Sequence, residues 1–180
     1  MITFQRNLET AQSIAEHLNA DVLIYDKDIF KKAFDEYDVI VAVFATGIVV
    51  RDIAPLLKDK WTDPAVIVVD SNLSFAIPLL GGHHGANDTA RRIAHLGAVP
   101  VITTATEVHQ KNSVEGIASS MGCDIVNKES TKTVNCALLE QDVEVLELKG
   151  PKIVMVDDDV SVLKKKGRMR IDTDHRNRNT

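Results

Sequence analysis

VIVAVF at Val39–Phe44 and AVIVVD at Ala65–Asp70 are apolar on consecutive positions, where a strand with one wet face would alternate. Strands of that kind are covered on both faces, which favours a parallel sheet with helices above and below it. The flanking segments fit this arrangement. Leu8, Ala11, Ile14, Ala15 and Leu18 share one helical face, Met1–Phe4 and Asp21–Tyr25 read as short strands, and Lys27–Asp35 reads as a short helix. Gly47–Lys58 predicts a helix broken or restarted at Pro55. Asn87–Leu96 predicts another helix, and Ala98–Thr103 a strand whose Pro100 suits a sheet edge. Alternation at this spacing implies right-handed crossovers and an α/β fold with an open, mostly parallel sheet and helices on both faces.

The second part of the chain is less regular. Asn112 with Glu115 fits a capping pair ahead of Val114, Ile117, Ala118 and Met121, and Gly122 can end that helix. Lys132–Gln141 predicts a helix, and Glu144–Leu148 and Lys152–Val156 predict strands. From Asp157 charge dominates, the pattern of a solvated tail. The expected organisation is an N-terminal α/β domain over residues 1–110, a small, incomplete α/β appendage over 111–156, and a charged, disordered tail over 157–180.

Composition narrows the function classes. The 180 residues are 44% hydrophobic and 26% charged, close to the soluble average, and with only 4% aromatic residues the core must be aliphatic. A formal net charge of −5 argues against non-specific nucleic-acid binding, which needs a basic footprint. No apolar run reaches the roughly 20 residues of a membrane span, and MITFQRNLET lacks the layout of a signal peptide. Cys123 and Cys136 show no metal or redox spacing and fit a reducing compartment. The expected location is the cytoplasm, with no membrane or nucleic-acid partner.

Open α/β sheets bind ligands outside the carboxyl ends of their strands. Three segments are expected to converge there: Ala45-Thr46-Gly47 with Arg51 on the following helix, Leu80–Asn87, and Thr103–Thr106. Leu80–Asn87, LGGHHGAN, is the most informative. Its three glycines permit close backbone approach or positive φ, and Asn87 or Asp88 can cap a helix whose free N–H groups suit an anion. His83 and His84 can serve as general base and acid near neutral pH. Adjacent histidines rarely chelate one metal, so no metal site is expected. His17 and His95 read as helix-surface residues, His109 follows the threonine-rich segment towards the same cleft, and His175 belongs to the tail. Arg51, Arg91 and Arg92 would face the cleft and suit carboxylates. Without GxGxxG or GK[ST] the loop implies no nucleotide.

ATGIVVRDIAPLLKDKWTDPAVIVVD (Ala45–Asp70), FAIPLLGGHHGANDTARRIA (Phe75–Ala94) and PVITTATE (Pro100–Glu107), in that order and spacing, resemble the N-terminal region of the cobalt-precorrin-5A hydrolases, the CbiG family of anaerobic cobalamin biosynthesis. Lys111 to about Leu146, with TKTVNCALLEQ, resembles the start of that family's central region more loosely. The resemblance implies opening of the ring-A δ-lactone of cobalt-precorrin-5A, giving cobalt-precorrin-5B and acetaldehyde. It implies His83 and His84 as catalytic residues, His83 being the nearer match because it follows the glycine pair. It implies Thr46, Gly47, Arg51, Gly81, Gly82, Gly85, Ala86, Asn87, Arg91, Thr103 and Thr104 as substrate-binding residues. Cobalt would arrive in the substrate, a cobalt-corrinoid small molecule, and no protein-bound cofactor or metal is implied. The resemblance implies a hydrolase that acts alone or with a partner chain supplying the family's C-terminal domain, and a homodimer stays open. The alternatives are a non-catalytic corrinoid-binding subunit or half of a split hydrolase, and a small module for some other carboxylate-rich ligand.

Overall fold

The computed structural model describes residues 1–108, 111–141, 145–147, 152–156 and 159–165. Its contacts divide the chain between Lys111 and Asn112. The first unit runs β1 (Ile2–Thr3), α1 (Leu8–Leu18), β2 (Leu23–Ile24), α2 (Ile29–Glu36), β3 (Val39–Val43), α3 (Thr46–Ile53), β4 (Ala65–Val69), β5 (Phe75–Leu80), α4 (Ala86–Ala94), β6 (Val99–Pro100) and α5 (Ala105–Val108). The six strands form one sheet in the order β2-β1-β3-β4-β5-β6. All pairs are parallel except β4 with β5.

The consecutive apolar runs divide their side chains between two cores. Val41 and Val43 of β3 pack with Ala11 and Ile14 of α1 and Ala90 and Ile93 of α4. Ile40 and Ala42, with Phe44, pack with Phe30 and Ala33 of α2 and Val49 and Ile53 of α3 on the other face. Each face of the sheet thus buries a different pair of helices. All five residues of β4 are buried, as a strand covered on both sides requires. Pro55 falls where α3 gives way to a 3-10 turn at Ala54–Leu56, and Pro100 lies in the edge strand β6.

One strand was not expected. β5, FAIPLL, returns antiparallel beside β4 and carries Pro78 in a central position. The pairing tolerates proline because the register slips there: Val66 faces Leu80 while Ile67 faces Pro78, an irregularity of the kind where a strand proline is accepted. Asp70 builds the turn between the two strands. Its carboxylate accepts from the N–H groups of Asn72 (2.9 Å), Ser74 (2.9 Å) and Phe75 (2.7 Å), and Leu73 takes positive φ (57°). Partial burial pushes the Asp70 carboxyl up, but these backbone N–H donors outweigh it and hold the group below its ordinary value.

The second unit comprises α6 (Val114–Ser120), β7 (Cys123–Ile125), α7 (Thr131–Glu140), β8 (Val145–Glu147), β9 (Lys152–Val156) and β10 (Asp159–Lys165), with an antiparallel sheet in the order β7-β10-β9-β8. Two expectations change here. Ser113, rather than Asn112, caps α6 by accepting from Gly116 N–H (2.9 Å), while Glu115 turns inward and accepts from Asn135 Nδ2 (2.7 Å). Residues 159–165, read from their charge as tail, form β10, the strand between β7 and β9. The apolar Val-Ser-Val-Leu run inside them is masked in the sequence by flanking aspartates and lysines. Leu163 is fully buried against Val114, Cys123, Val134 and Leu138, and Ser161 Oγ lies 2.7 Å from Ser130 Oγ. Residues 166–180, including His175, lie outside the described residues, as does His109.

Candidate functional site

The antiparallel return of β5 decides where the candidate loops go. Leu80 ends β5 opposite Val66, near the beginning of β4, so the chain emerges at the amino end of β3 and β4. The loop itself confirms the position: a Cβ built on Gly81 would stand 2.8 Å from the Ala65 Cα, and one on Gly85 would meet Val39 Cγ2 at 3.8 Å. β6 runs parallel to β5, so the segment after it, with Thr103 and Thr104, opens at the same end. Thr46, Gly47 and Arg51 follow the carboxyl end of β3. The three segments therefore do not converge on one cleft. Leu80–Asn87 and Thr103–Thr104 share one end of the sheet, and Thr46, Gly47 and Arg51 occupy the other, a strand length of roughly 15 Å away.

At the amino end the loop is ordered by its own backbone. Gly82–His84 forms a 3-10 turn, and the Gly81 carbonyl accepts from both His84 N–H (2.8 Å) and Ala86 N–H (3.1 Å). Gly85, with φ of 108°, then caps α4, so neither Asn87 nor Asp88 is the cap residue. The physical reason is that the reversal into the helix needs a left-handed residue one step before Ala86, a conformation open to glycine. Asn87 instead sits inside the first turn, 2% exposed, and its Nδ2 donates to Thr104 Oγ1 at 3.0 Å. Its Oδ1 is buried without a hydrogen-bond partner. Gly82 backs onto this pair so closely that a Cβ there would lie 2.6 Å from Thr104 Cγ2 and 3.3 Å from Asn87 Oδ1. The arrangement is a backbone cradle with one orphaned acceptor, the kind of group that calls for a donor from water or a ligand.

His83 is half-buried in this turn, and His84 is exposed, with its ring edge-on to Trp61 at 5.5 Å between centroids and 82° between planes. Trp61 escaped sequence reasoning. Its signal was available, since it is the single tryptophan of an aromatic-poor chain and lies in the loop before β4.

The arginines are placed differently from expectation. Arg91 pairs with Asp88 (3.0 Å) and with Glu107, which balances its charge beside the loop. Arg92 leaves the cleft altogether: its Nη2 donates to the carbonyl of Leu18 at the end of α1 (3.3 Å), next to His17 and His95. Arg51 Nη1 folds back to the Gly47 carbonyl at 3.0 Å. Among the described residues no group of three or more His, Cys, Asp or Glu stands close enough to hold a metal ion.

Comparison with known proteins bears on this region directly. Residues 28–107 match the family model described as cobalamin synthesis G N-terminal, a span that contains all three loops. The chain is 42% identical over 112 residues to a cobalt-precorrin-5A hydrolase of Salmonella typhimurium and 38% identical over 122 residues to one of Priestia megaterium. These stretches cover 61% and 66% of this chain but 32% and 33% of the relatives, so the chain spans about a third of the length of the curated relatives it matches. A crystal structure of a cobalamin biosynthesis protein G homolog from Sulfolobus solfataricus is 32% identical, with a TM-score of 0.53 over 82% of this chain and 50% of that one. The resemblance read from the motifs is thereby shown for the N-terminal region, and the α/β fold with it.

Proposed function

We propose, with residues 28–107 forming a cobalamin synthesis G N-terminal region, that the protein works in anaerobic cobalamin biosynthesis as a cobalt-precorrin-5A hydrolase. The reaction is opening of the ring-A δ-lactone of cobalt-precorrin-5A, with release of a two-carbon unit as acetaldehyde and formation of cobalt-precorrin-5B. The observation that carries this reading is the span of the family match, which holds the glycine–histidine loop and the Thr103–Thr104 segment that packs against it. Cobalt comes with the substrate, and we assign no protein-bound cofactor. The location is the cytoplasm; no helix among the described residues is long and apolar enough to cross a membrane.

The chemistry asks for a base to activate water at the lactone carbonyl, and for donors to the oxyanion that forms. His83 or His84 is the base. The N–H groups of His84 and Ala86 already serve the Gly81 carbonyl, and Thr89 N–H serves Gly85, so the oxyanion donors are sought among the N–H groups of Gly85, Asn87 and Asp88. Collapse of the adduct opens the ester, and a retro-aldol step then takes a proton from the freed hydroxyl and returns one to carbon as acetaldehyde leaves. The relatives' remaining two thirds, supplied by further chain or by a partner, complete the enclosure of so large a substrate.

Acetaldehyde release from cobalt-precorrin-5A under anaerobic conditions tests the reading. Release by this chain that disappears in the His83→Ala, His84→Ala double variant is the expected result. Release unchanged in that variant would overturn the base assignment. The short span relative to its relatives favours one second reading, a corrinoid-binding subunit or half of a split hydrolase. Its mark is a shifted corrinoid absorbance on binding, with no acetaldehyde until the missing portion is added.

A further inference from the structure

The loop that feeds β4 is built around one side chain. Residues 57–64 connect the 3-10 turn at Ala54–Leu56 to the strand. Asp63 closes the loop, both of its carboxylate oxygens accepting from the Lys58 N–H (3.0 and 3.1 Å). Asp59 grips the tip: Oδ1 accepts from the N–H groups of Trp61 (2.8 Å) and Thr62 (3.2 Å), and Oδ2 accepts from Thr62 Oγ1 (2.6 Å). The Lys60 ammonium lies over the indole, 4.3 Å from the ring centroid. Trp61 is therefore held by its backbone and by its ring.

The indole is held against the glycine–histidine loop. Gly81 packs so tightly on Ala65, the first residue of β4, that a Cβ there would stand 2.8 Å from the Ala65 Cα. This approach ties the two loops together at the amino end of the strand. His84 has its own backbone fixed, with its N–H on the Gly81 carbonyl at 2.8 Å and the left-handed Gly85 after it. Its side chain is exposed, and an exposed imidazole samples several staggered orientations. The Trp61 ring, edge-on at 5.5 Å and 82°, favours one of them.

We infer that Trp61 is a positioning residue, which holds the His84 imidazole in the orientation from which that ring transfers a proton. The inference rests on the hydrolase reading and adds to it a residue outside the glycine-rich loop. Trp61 touches no reacting atom in this role. It acts through His84 alone, by raising the share of time the imidazole spends correctly aimed, a form of preorganisation.

The test has two arms, both on the full chain. In proton spectra, the imidazole C–H resonances that vanish in His84→Gln should lie away from the usual positions of an exposed histidine, displaced by the indole ring current. Trp61→Leu should return them to the usual positions, and Trp61→Phe should keep part of the displacement. Asp59→Ala, which leaves both rings in place but frees the loop, should reduce it. In acetaldehyde release from cobalt-precorrin-5A, Trp61→Leu should lower kcat about tenfold with KM unchanged, the population bias that one aromatic contact supplies. Trp61→Phe should restore most of that loss, which a merely structural tryptophan would not require. Resonances undisplaced in the parent or unmoved in Trp61→Leu would overturn the inference, as would a kcat unchanged in that variant or a loss confined to KM. A parent chain that releases no acetaldehyde fails the hydrolase reading, and the resonance arm then supports or overturns the pairing of Trp61 with His84 by itself.

Discussion

Gly82→Ala should be destabilising even though its backbone is not left-handed, and the cost can be worked from contacts. The added methyl would stand 2.6 Å from Thr104 Cγ2, nearly 1 Å inside the roughly 3.5 Å at which carbon atoms normally meet. Turning Thr104 to relieve the clash would sacrifice its hydrogen bond to Asn87 Nδ2, leaving a buried amide with neither end partnered. Overpacking of this kind costs about 1–3 kcal/mol, offset by about 0.4–1 kcal/mol from the stiffer unfolded chain, for a net loss of about 1–2 kcal/mol. Thr104→Ser keeps the hydroxyl and removes the offending methyl. Alone it should cost less than about 1 kcal/mol, the worth of one partly buried methyl group. The double variant Gly82→Ala, Thr104→Ser should then recover about 1 kcal/mol relative to the sum of the singles, read from urea denaturation. A Gly82→Ala protein as stable as the parent, or a coupling near zero, would refute the close approach on which the cradle rests.

Gly85→Ala should lose about 1–2 kcal/mol, since φ of 108° is disfavoured for a residue with a Cβ; an unchanged denaturation midpoint would argue against the glycine cap. Asp70 has a folded value below its ordinary one, so its contribution is complete above the unfolded value of about 3.9 and is lost as pH falls through the folded value. Thermal melts of the parent should therefore decline below about pH 4 more steeply than those of Asp70→Asn, and parallel profiles would contradict the turn bonds. Leu163→Ala should cost about 2–5 kcal/mol as a fully buried leucine does, and a loss under about 0.5 kcal/mol, the range of an ordinary surface change, would return β10 to the solvent.

The fold of the first unit was legible because its strands carry unbroken apolar runs and its helices carry a clear periodic face. Val39–Val43 and Ala65–Val69 could hardly be anything but doubly covered strands. What escaped was FAIPLL, where Pro78 argues against a central strand and the compensating register slip depends on the partner strand. That single omission displaced the site. With β5 unseen, the glycine loop reads as following a parallel strand, and all three loops fall on one side. With β5 present, they separate to opposite ends. Asn87 and Thr104 were singled out separately by local sequence, but their hydrogen bond joins residues 17 apart and depends on β6 lying beside β5. The cap at Gly85 rather than Asn87 turns on one dihedral angle. β10 was hidden because charge at Asp157–Asp159 and Lys164–Lys166 outweighs four residues of strand pattern.

The Asp70 turn also bears on how the chain acquires its shape. Pairing β1 with β3 brings Ile2 to Ala42 and closes a loop of about forty residues. Val69 meets Ala76 across a span of only seven residues, guided by a carboxylate that gathers three amides as it forms. Local pairing of this kind forms on the microsecond scale, whereas distant parallel pairing waits on chain closure. The β4–β5 hairpin is accordingly the natural first piece of the sheet, a short template on which β3 and then β1 are laid from one side and β6 from the other.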